Sequence, residues 1–221
     1  MAVAAARCVV AAAAAMGPTR GRVRLRSPTE VMVSNVEAAN AMSPTMMLDF
    51  ADVVTELEGY AEDAQGLVDP LIIRGDPKGR VFCAGADVKA CAPLLADADG
   101  RMAMATLMHD TLSRLHALPL LVVAAIDGGA FGGGAELATA ADVRVLAADA
   151  RIVFVHATRG MSPGWGGAAR LKRLLPPEAA MRLILTATPI TPDSPWAPWL
   201  VDCVAQADDA SPTPALWPIG D

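Results

Sequence analysis

Aromatic residues are scarce in this chain: Phe, Trp and Tyr make up 4% of 221 residues, with a single tyrosine, although 53% of the residues are hydrophobic. Small side chains, mainly alanine and valine, therefore carry the apolar count. Basic clusters are also missing. The net charge is −6 and no Lys/Arg cluster occurs beyond residues 20–26, so no nucleic-acid partner is expected. No uninterrupted apolar stretch reaches the roughly eighteen residues of a membrane-spanning helix, so no membrane segment is expected. Four cysteines occur, Cys8, Cys83, Cys91 and Cys203, with no C-x-x-C pair and no histidine at zinc spacing. They are read as reduced thiols of an intracellular soluble protein, and no metal site is expected. Acids are absent before Glu30, and that stretch instead carries Arg7, Arg20, Arg22, Arg24 and Arg26 around an alanine-rich run. The composition fits an organelle transit peptide or a plain alanine-rich extension, which leaves cytosol and mitochondrion both open.

The length suits one domain with a good core, or one domain and a tail. Residues 1–20 are expected to lie outside the fold and 21–190 to form the core. Residues 191–221 are expected to be a poorly ordered tail, because Pro192, Pro195, Pro198, Pro212 and Pro214 do not build helices. Apolar or alternating runs predict strands at 22–26, 31–35, 71–74, 120–126, 143–146 and 152–155. Ser43 followed by Pro44 reads as a helix cap and first helical position. That helix runs to Glu58 with Met47, Phe50, Val54 and Leu57 on one face. Further helices are expected at 100–117, from Gly133, at 166–175 and at 178–186. Repeated strand-strand-helix units predict an α/β fold.

The densest chemical signal is Ile126-Asp127-Gly128-Gly129-Ala130-Phe131-Gly132-Gly133-Gly134-Ala135-Glu136-Leu137, with five glycines within seven residues. A buried strand feeds a turn where the backbone can approach a ligand closely. Free N–H groups at the start of the following helix then suit developing negative charge. No frame gives G-x-G-x-x-G, and Gly164-Trp165-Gly166-Gly167-Ala168-Ala169 fits the looser G-x-G-x-x-A form without a good strand before it. A second strand-to-turn unit runs through Val81-Phe82-Cys83-Ala84-Gly85-Ala86-Asp87-Val88-Lys89. Two such units, each offering one backbone N–H to a single oxygen, suit thioester chemistry, in which an enolate carries its charge on that oxygen.

These residues resemble the crotonase (enoyl-CoA hydratase/isomerase) superfamily over roughly residues 21–204. Asn40-Ala41-Met42-Ser43 is similar to its N-A-[LF]-S. Phe82 to Lys89 is similar to its F-x-A-G-A-D-[LIV]-K. Gly132-Gly133-Gly134-Ala135-Glu136-Leu137 with Ala141-Asp142-Val143-Arg144 is similar to G-G-G-x-E-L…x-D-x-R. Gly160, Pro163, Gly166-Gly167 and Arg170-Leu171 follow G-x-x-P-x-x-G-G-x-x-R-L, and Leu200-Val201-Asp202-Cys203-Val204 follows L-V-D-x-V. Phe154-Val155-His156, Gly160 and Pro163-Gly164-Trp165-Gly166-Gly167 resemble, in residues and spacing, the branch of the superfamily that decarboxylates ethylmalonyl-CoA. The resemblance implies a spiral α/β core of ββα units, from which the helices that usually follow L-V-D are largely missing here. It implies an acyl-CoA substrate with no separate cofactor, since coenzyme A is part of the substrate, and a homo-trimer or hexamer. It also implies that the backbone N–H groups of Ala86 and Gly133 form an oxyanion hole. Ala84, Asp87, Val88 and Lys89 would line the coenzyme A path, with Lys89 near its phosphates. Glu136 or His156 would be the acid/base group.

Hydration of an enoyl thioester needs water held between two acid/base groups, usually carboxylates. Glu136 offers one, but no Asp or Glu occurs from Ala150 to Pro177. Thr158 and Arg159 stand where an acid would serve, and His156 is the one residue there that titrates near neutrality. Decarboxylation of a 2-alkylmalonyl-CoA needs less: an oxyanion hole, a pocket that strips water from the carboxylate, and a proton source. A hydratase or isomerase using Glu136 with an unusual partner, and a non-catalytic acyl-CoA-binding homologue, stay open beside it. Structural readings stay open too. An acid such as Glu136 suits the first turn of a helix, His156 fits a hydrogen-bonded, half-buried histidine, and Trp165 reads as pocket wall or core. Cys83 sits in the turn without a nucleophilic role.

Overall fold

The valine- and isoleucine-rich runs become strands because branched side chains suit a pleated surface covered on both faces. In the computed structural model, which describes residues 3–17, 21–63 and 69–205, they are β1 (Arg22–Ser27), β2 (Glu30–Ser34), β3 (Leu71–Gly75), β4 (Val122–Ile126), β5 (Gly129–Phe131), β6 (Val143–Ala147), β7 (Arg151–Val153) and β8 (Cys203–Ala205). Six of them form one sheet in the order β1-β2-β3-β4-β6-β8. β1 and β2 are antiparallel and each later pairing is parallel. β5 and β7 make a separate parallel pair. The helices are α1 (Val3–Met16), α2 (Pro44–Asp63), α3 (Ala92–Leu95), α4 (Ala98–Ala117), α5 (Gly133–Ala138), α6 (Gly167–Leu174), α7 (Pro177–Thr186) and α8 (Ala197–Leu200). Parallel neighbours need a crossover. α2 joins β2 to β3, α3 and α4 join β3 to β4, and α5 lies between β4 and β6.

Local chemistry sets the helix starts. The Ser43 Oγ accepts from the Met46 N–H at 3.3 Å, and the Asp97 Oδ1 accepts from the Gly100 N–H at 2.7 Å at the head of α4. Met47, Phe50, Val54 and Leu57 of α2 are fully buried, as their spacing predicted. Among the described residues no helix is long and apolar enough to cross a membrane.

Both ends of the expected core need correction. Residues 3–16 do not lie outside the fold: α1 packs along α4 and α2, burying Ala6, Val10 and Ala13. Alanine on one helix face lets another helix approach closely, so a run that reads as low complexity serves as a packing surface. At the other end the ordered core passes residue 190. Leu200 is fully buried, and β8 extends the sheet beside β6. Pro198 fits because it falls in the first turn of α8, where no helical N–H is lost. The rest of the expected tail, 206–221, lies outside the described residues.

Candidate active site

The two strand-to-turn units meet through β5, an element that periodicity does not announce because its three residues lie inside the glycine segment. The Cys83 N–H donates to the Gly129 carbonyl at 3.3 Å, and the Phe131 N–H donates to the Cys83 carbonyl at 2.9 Å. Met42 clamps the first turn from the other side. Its N–H donates to the Gly85 carbonyl at 2.7 Å and its carbonyl accepts from the Asp87 N–H at 2.9 Å. That parallel bridge leaves the Ala86 N–H pointing away from Met42. Gly133 is the first residue of α5, so its N–H has no helical carbonyl to meet. The turns touch at Gly85, which has φ +92°; a Cβ there would stand 2.8 Å from the Phe131 carbonyl oxygen and 2.9 Å from the Gly133 nitrogen. Only glycine permits that backbone angle and that approach at little cost.

α5 carries Glu136 into a buried site. Its Oε2 accepts from the Trp165 N–H at 2.8 Å and from the Gly167 N–H at 2.7 Å, and its Oε1 lies 3.0 Å from the His156 Nε2. Glu136 is 1% exposed and His156 8%. Gly167 is what admits the carboxylate, since a Cβ on it would lie 2.4 Å from the Glu136 Cγ. Trp165 is both wall and core: it is buried, and its ring covers Gly133, where a Cβ would come within 2.4 Å of the indole. Arg170, buried on α6, closes the back of the site. Its Nη2 donates to the carbonyls of Glu136 and Trp165, and its Nε donates to the Thr139 Oγ1 at 3.3 Å. Burial pushes the Arg170 guanidinium below its ordinary range, with the Glu136 charge acting in the opposite sense.

A cavity of about 1070 Å³ opens between the two turns. All eight residues singled out in the sequence line it: Ala84, Ala86, Asp87, Val88, Lys89, Gly133, Glu136 and His156. Val88 and Lys89 are exposed at its wall, and the Asp87 Oδ1 accepts from the N–H groups of Lys89 and Ala90 at 3.1 Å each, which fixes the turn. Arg159 lines the cavity as well, whereas Thr158 is exposed and its hydroxyl donates to the Val155 carbonyl. Sequence reasoning missed four contributors. Arg170 stands in a quoted motif without an assigned task. The Trp165 and Gly167 amides are backbone groups, which leave no mark in a residue pattern. Asn40 supports the first turn from beneath: its Nδ2 donates to the carbonyls of Asp76 and Val81, and its Oδ1 accepts from the Asn35 N–H.

The thiols behave as packing groups. Burial pushes Cys83 up to about 12 against the lowering effect of the Gly85 N–H, and burial, helped by the Asp87 charge, pushes Cys91 up to about 12. The unfolded chain releases these protons near the ordinary value of 9.0. The folded state therefore holds more protons above that pH, and stability falls as pH rises from about 9 towards 12. At pH 8 iodoacetamide is expected to label the exposed Cys8 and Cys203 and to spare Cys83 and Cys91 until denaturant is added. Labelling of Cys83 in the folded chain, read by peptide mass mapping, would contradict this.

The sequence matches the family described as enoyl-CoA hydratase/isomerase over residues 27–209. It is 44% identical over 161 residues to the ethylmalonyl-CoA decarboxylase of Gallus gallus, covering 73% of this chain and 51% of that protein. It is 42% identical over 175 residues to the ethylmalonyl-CoA decarboxylase of Danio rerio, covering 79% of this chain and 55% of that one. The chain thus spans about half the length of the curated relatives it matches. Among solved structures, an enoyl-CoA hydratase from Polaromonas sp. JS666 superposes with a TM-score of 0.72 at 29% identity, covering 86% of this chain and 72% of that one. An enoyl-CoA hydratase from Bacillus anthracis superposes with a TM-score of 0.72 at 28% identity, covering 85% and 70%. With two glycine-rich turns meeting over one cavity and a matched segment that takes in both, this chain belongs to the enoyl-CoA hydratase/isomerase family.

Proposed function

We propose that this chain is a carboxy-lyase that decarboxylates a 2-alkylmalonyl-CoA, ethylmalonyl-CoA or methylmalonyl-CoA, through a thioester enolate. The enolate oxygen sits between the N–H groups of Ala86 and Gly133. Ala84, Asp87, Val88 and Lys89 line the path of the coenzyme A arm, which is part of the substrate and not a separate cofactor. As the C–C bond to the carboxylate breaks, negative charge grows on the thioester oxygen, and two fixed amides stabilise it without reorganising. Removing one such donor typically costs about 10²–10³ in rate.

The observation that carries this reading is the composition of the cavity wall beside Glu136. Its nearest titratable partner is His156, and no second carboxylate comes from residues 150–177. From that stretch water addition lacks the second carboxylate it ordinarily uses, whereas decarboxylation needs an oxyanion hole, a pocket that strips water from the carboxylate and a proton source. The relatives named ethylmalonyl-CoA decarboxylase point the same way. The test is release of CO2 from ethylmalonyl-CoA and methylmalonyl-CoA by the purified chain, with hydration of crotonyl-CoA measured alongside. CO2 release with little hydration is expected. Hydration that is lost on Glu136→Gln, without CO2 release, would replace this reading with a hydratase. A folded chain that binds acyl-CoA and turns over neither substrate would replace it with a non-catalytic binder.

A further inference from the structure

Among the described residues, Lys89, Arg101 and Arg159 are the lysines and arginines that line the cavity, and they differ in place and in what already holds them. Lys89 belongs to the first turn, on the coenzyme A path. The Arg101 Nη1 donates to the Leu95 carbonyl at 2.8 Å. The Arg159 guanidinium has neither an ion pair nor a hydrogen bond among the described residues. Its main chain is pinned close to the second turn. The N–H groups of Arg159 and Met161 both donate to the His156 carbonyl at 3.0 Å, and the His156 Nε2 lies 3.0 Å from the Glu136 Oε1. A Cβ on Gly132, the residue before Gly133, would stand 3.9 Å from that same Nε2. Charge makes the placement informative. This end of the cavity already holds the Glu136 carboxylate, 1% exposed, so a second anion brought beside it meets a like charge away from bulk water. An acid in the 150–177 stretch would add to that repulsion; an arginine there offsets it.

We propose that Arg159 receives the substrate carboxylate that leaves as CO2, and so selects thioesters with an anionic α-substituent over plain acyl-CoA. The identity of that substituent as a carboxylate rests on the decarboxylase reading; the preference for an anion does not. A guanidinium presents a planar fork of donors that matches two oxygens of one anionic group, so it orients the group as well as attracting it. As the C–C bond breaks, charge leaves the carboxylate for the thioester oxygen. The hold of Arg159 weakens while that of the two backbone amides strengthens. Arg159 therefore acts on binding and specificity, and the amides act on the chemical step.

The test uses the full chain and a probe that cannot react. In 2-sulfobutyryl-CoA a sulfonate replaces the carboxylate of ethylmalonyl-CoA, so an anion is presented and no CO2 can leave. Its Kd is compared with that of butyryl-CoA by equilibrium titration. The wild-type chain is expected to bind the sulfonate about 10-fold or more tightly, as a charge-assisted hydrogen bond allows. Arg159→Met, at an exposed position, should lose that preference and leave the Kd of butyryl-CoA unchanged. With ethylmalonyl-CoA as substrate, the same variant should raise KM about 10-fold without lowering kcat. A wild-type chain with no preference for the sulfonate would overturn the proposal. So would an Arg159→Met chain that keeps the preference, weakens both ligands equally, or loses kcat at unchanged KM, and so would loss of the preference in Arg101→Met alone. A preference that disappears in Arg159→Met, in a chain that releases no CO2, would uphold the proposal and count against the decarboxylase reading alone.

Discussion

Replacing Gly133 with valine is expected to cut CO2 release from ethylmalonyl-CoA by two to three orders of magnitude, about 10²–10³-fold, while the chain stays folded. The first added carbon would lie 2.4 Å from the Trp165 ring, which walls the cavity, so the ring must swing into the space the substrate needs or the backbone must give. Where the backbone gives, the strain falls on the first turn of α5, which carries the Gly133 N–H, or on the 165–167 turn, which holds Glu136 through two amides. Either shift moves a group whose catalytic value depends on aim, where about 1 Å of misplacement costs about 10²-fold. A loss of about 10²–10³-fold in kcat is expected, with the far-UV circular dichroism retained. Wild-type turnover in a folded Gly133→Val chain would remove this amide from the mechanism.

Asn40→Ala is expected to give the largest loss of stability among single changes near the site. Asn40 is fully buried and has φ +54°, a left-handed backbone that asparagine tolerates better than alanine. Its amide group ties three segments together: β2 through Asn35, the end of β3 through Asp76, and the approach to the first turn through Val81. Gly75 and Gly79 press against it so closely that a Cβ on either would meet the amide within 2.8 Å. Alanine leaves those buried partners without their hydrogen bonds and opens a void beneath the turn. The cost is about 3–5 kcal/mol, a large share of what a domain has. Urea denaturation reads it as a lower midpoint at unchanged slope. The same change should slow turnover, because the Ala86 amide rides on the segment that Asn40 supports. A midpoint within error of the wild type would show that water replaces the side chain.

The strands of the main sheet were legible because their apolar runs are long and buried. Of the elements of three or four residues only β7 was: β5 and β8 exist through pairing with β7 and β6, and α8 through the burial of Ala197 and Leu200. α1 was misjudged for a related reason. An alanine run carries little periodic contrast, and its place against α4 depends on a surface formed by residues about a hundred positions away.

At the site, residue types and their order alone determined the family resemblance, the two glycine turns, and eight of the positions that line the cavity. They also determined what is lacking, since a stretch without carboxylates cannot supply a second acid from itself. Tertiary structure decided the rest. It placed Glu136 against the amides of Trp165 and Gly167 and against His156, set the Trp165 ring over Gly133, and gave Asn40 and Arg170 their tasks. The division has a physical cause. Hydrophobic period and turn chemistry act over a few neighbouring residues and are written in their identities. Backbone donors and the contacts of buried side chains depend on distances between segments far apart in the chain, and those distances exist only after the sheet has closed and the core has packed.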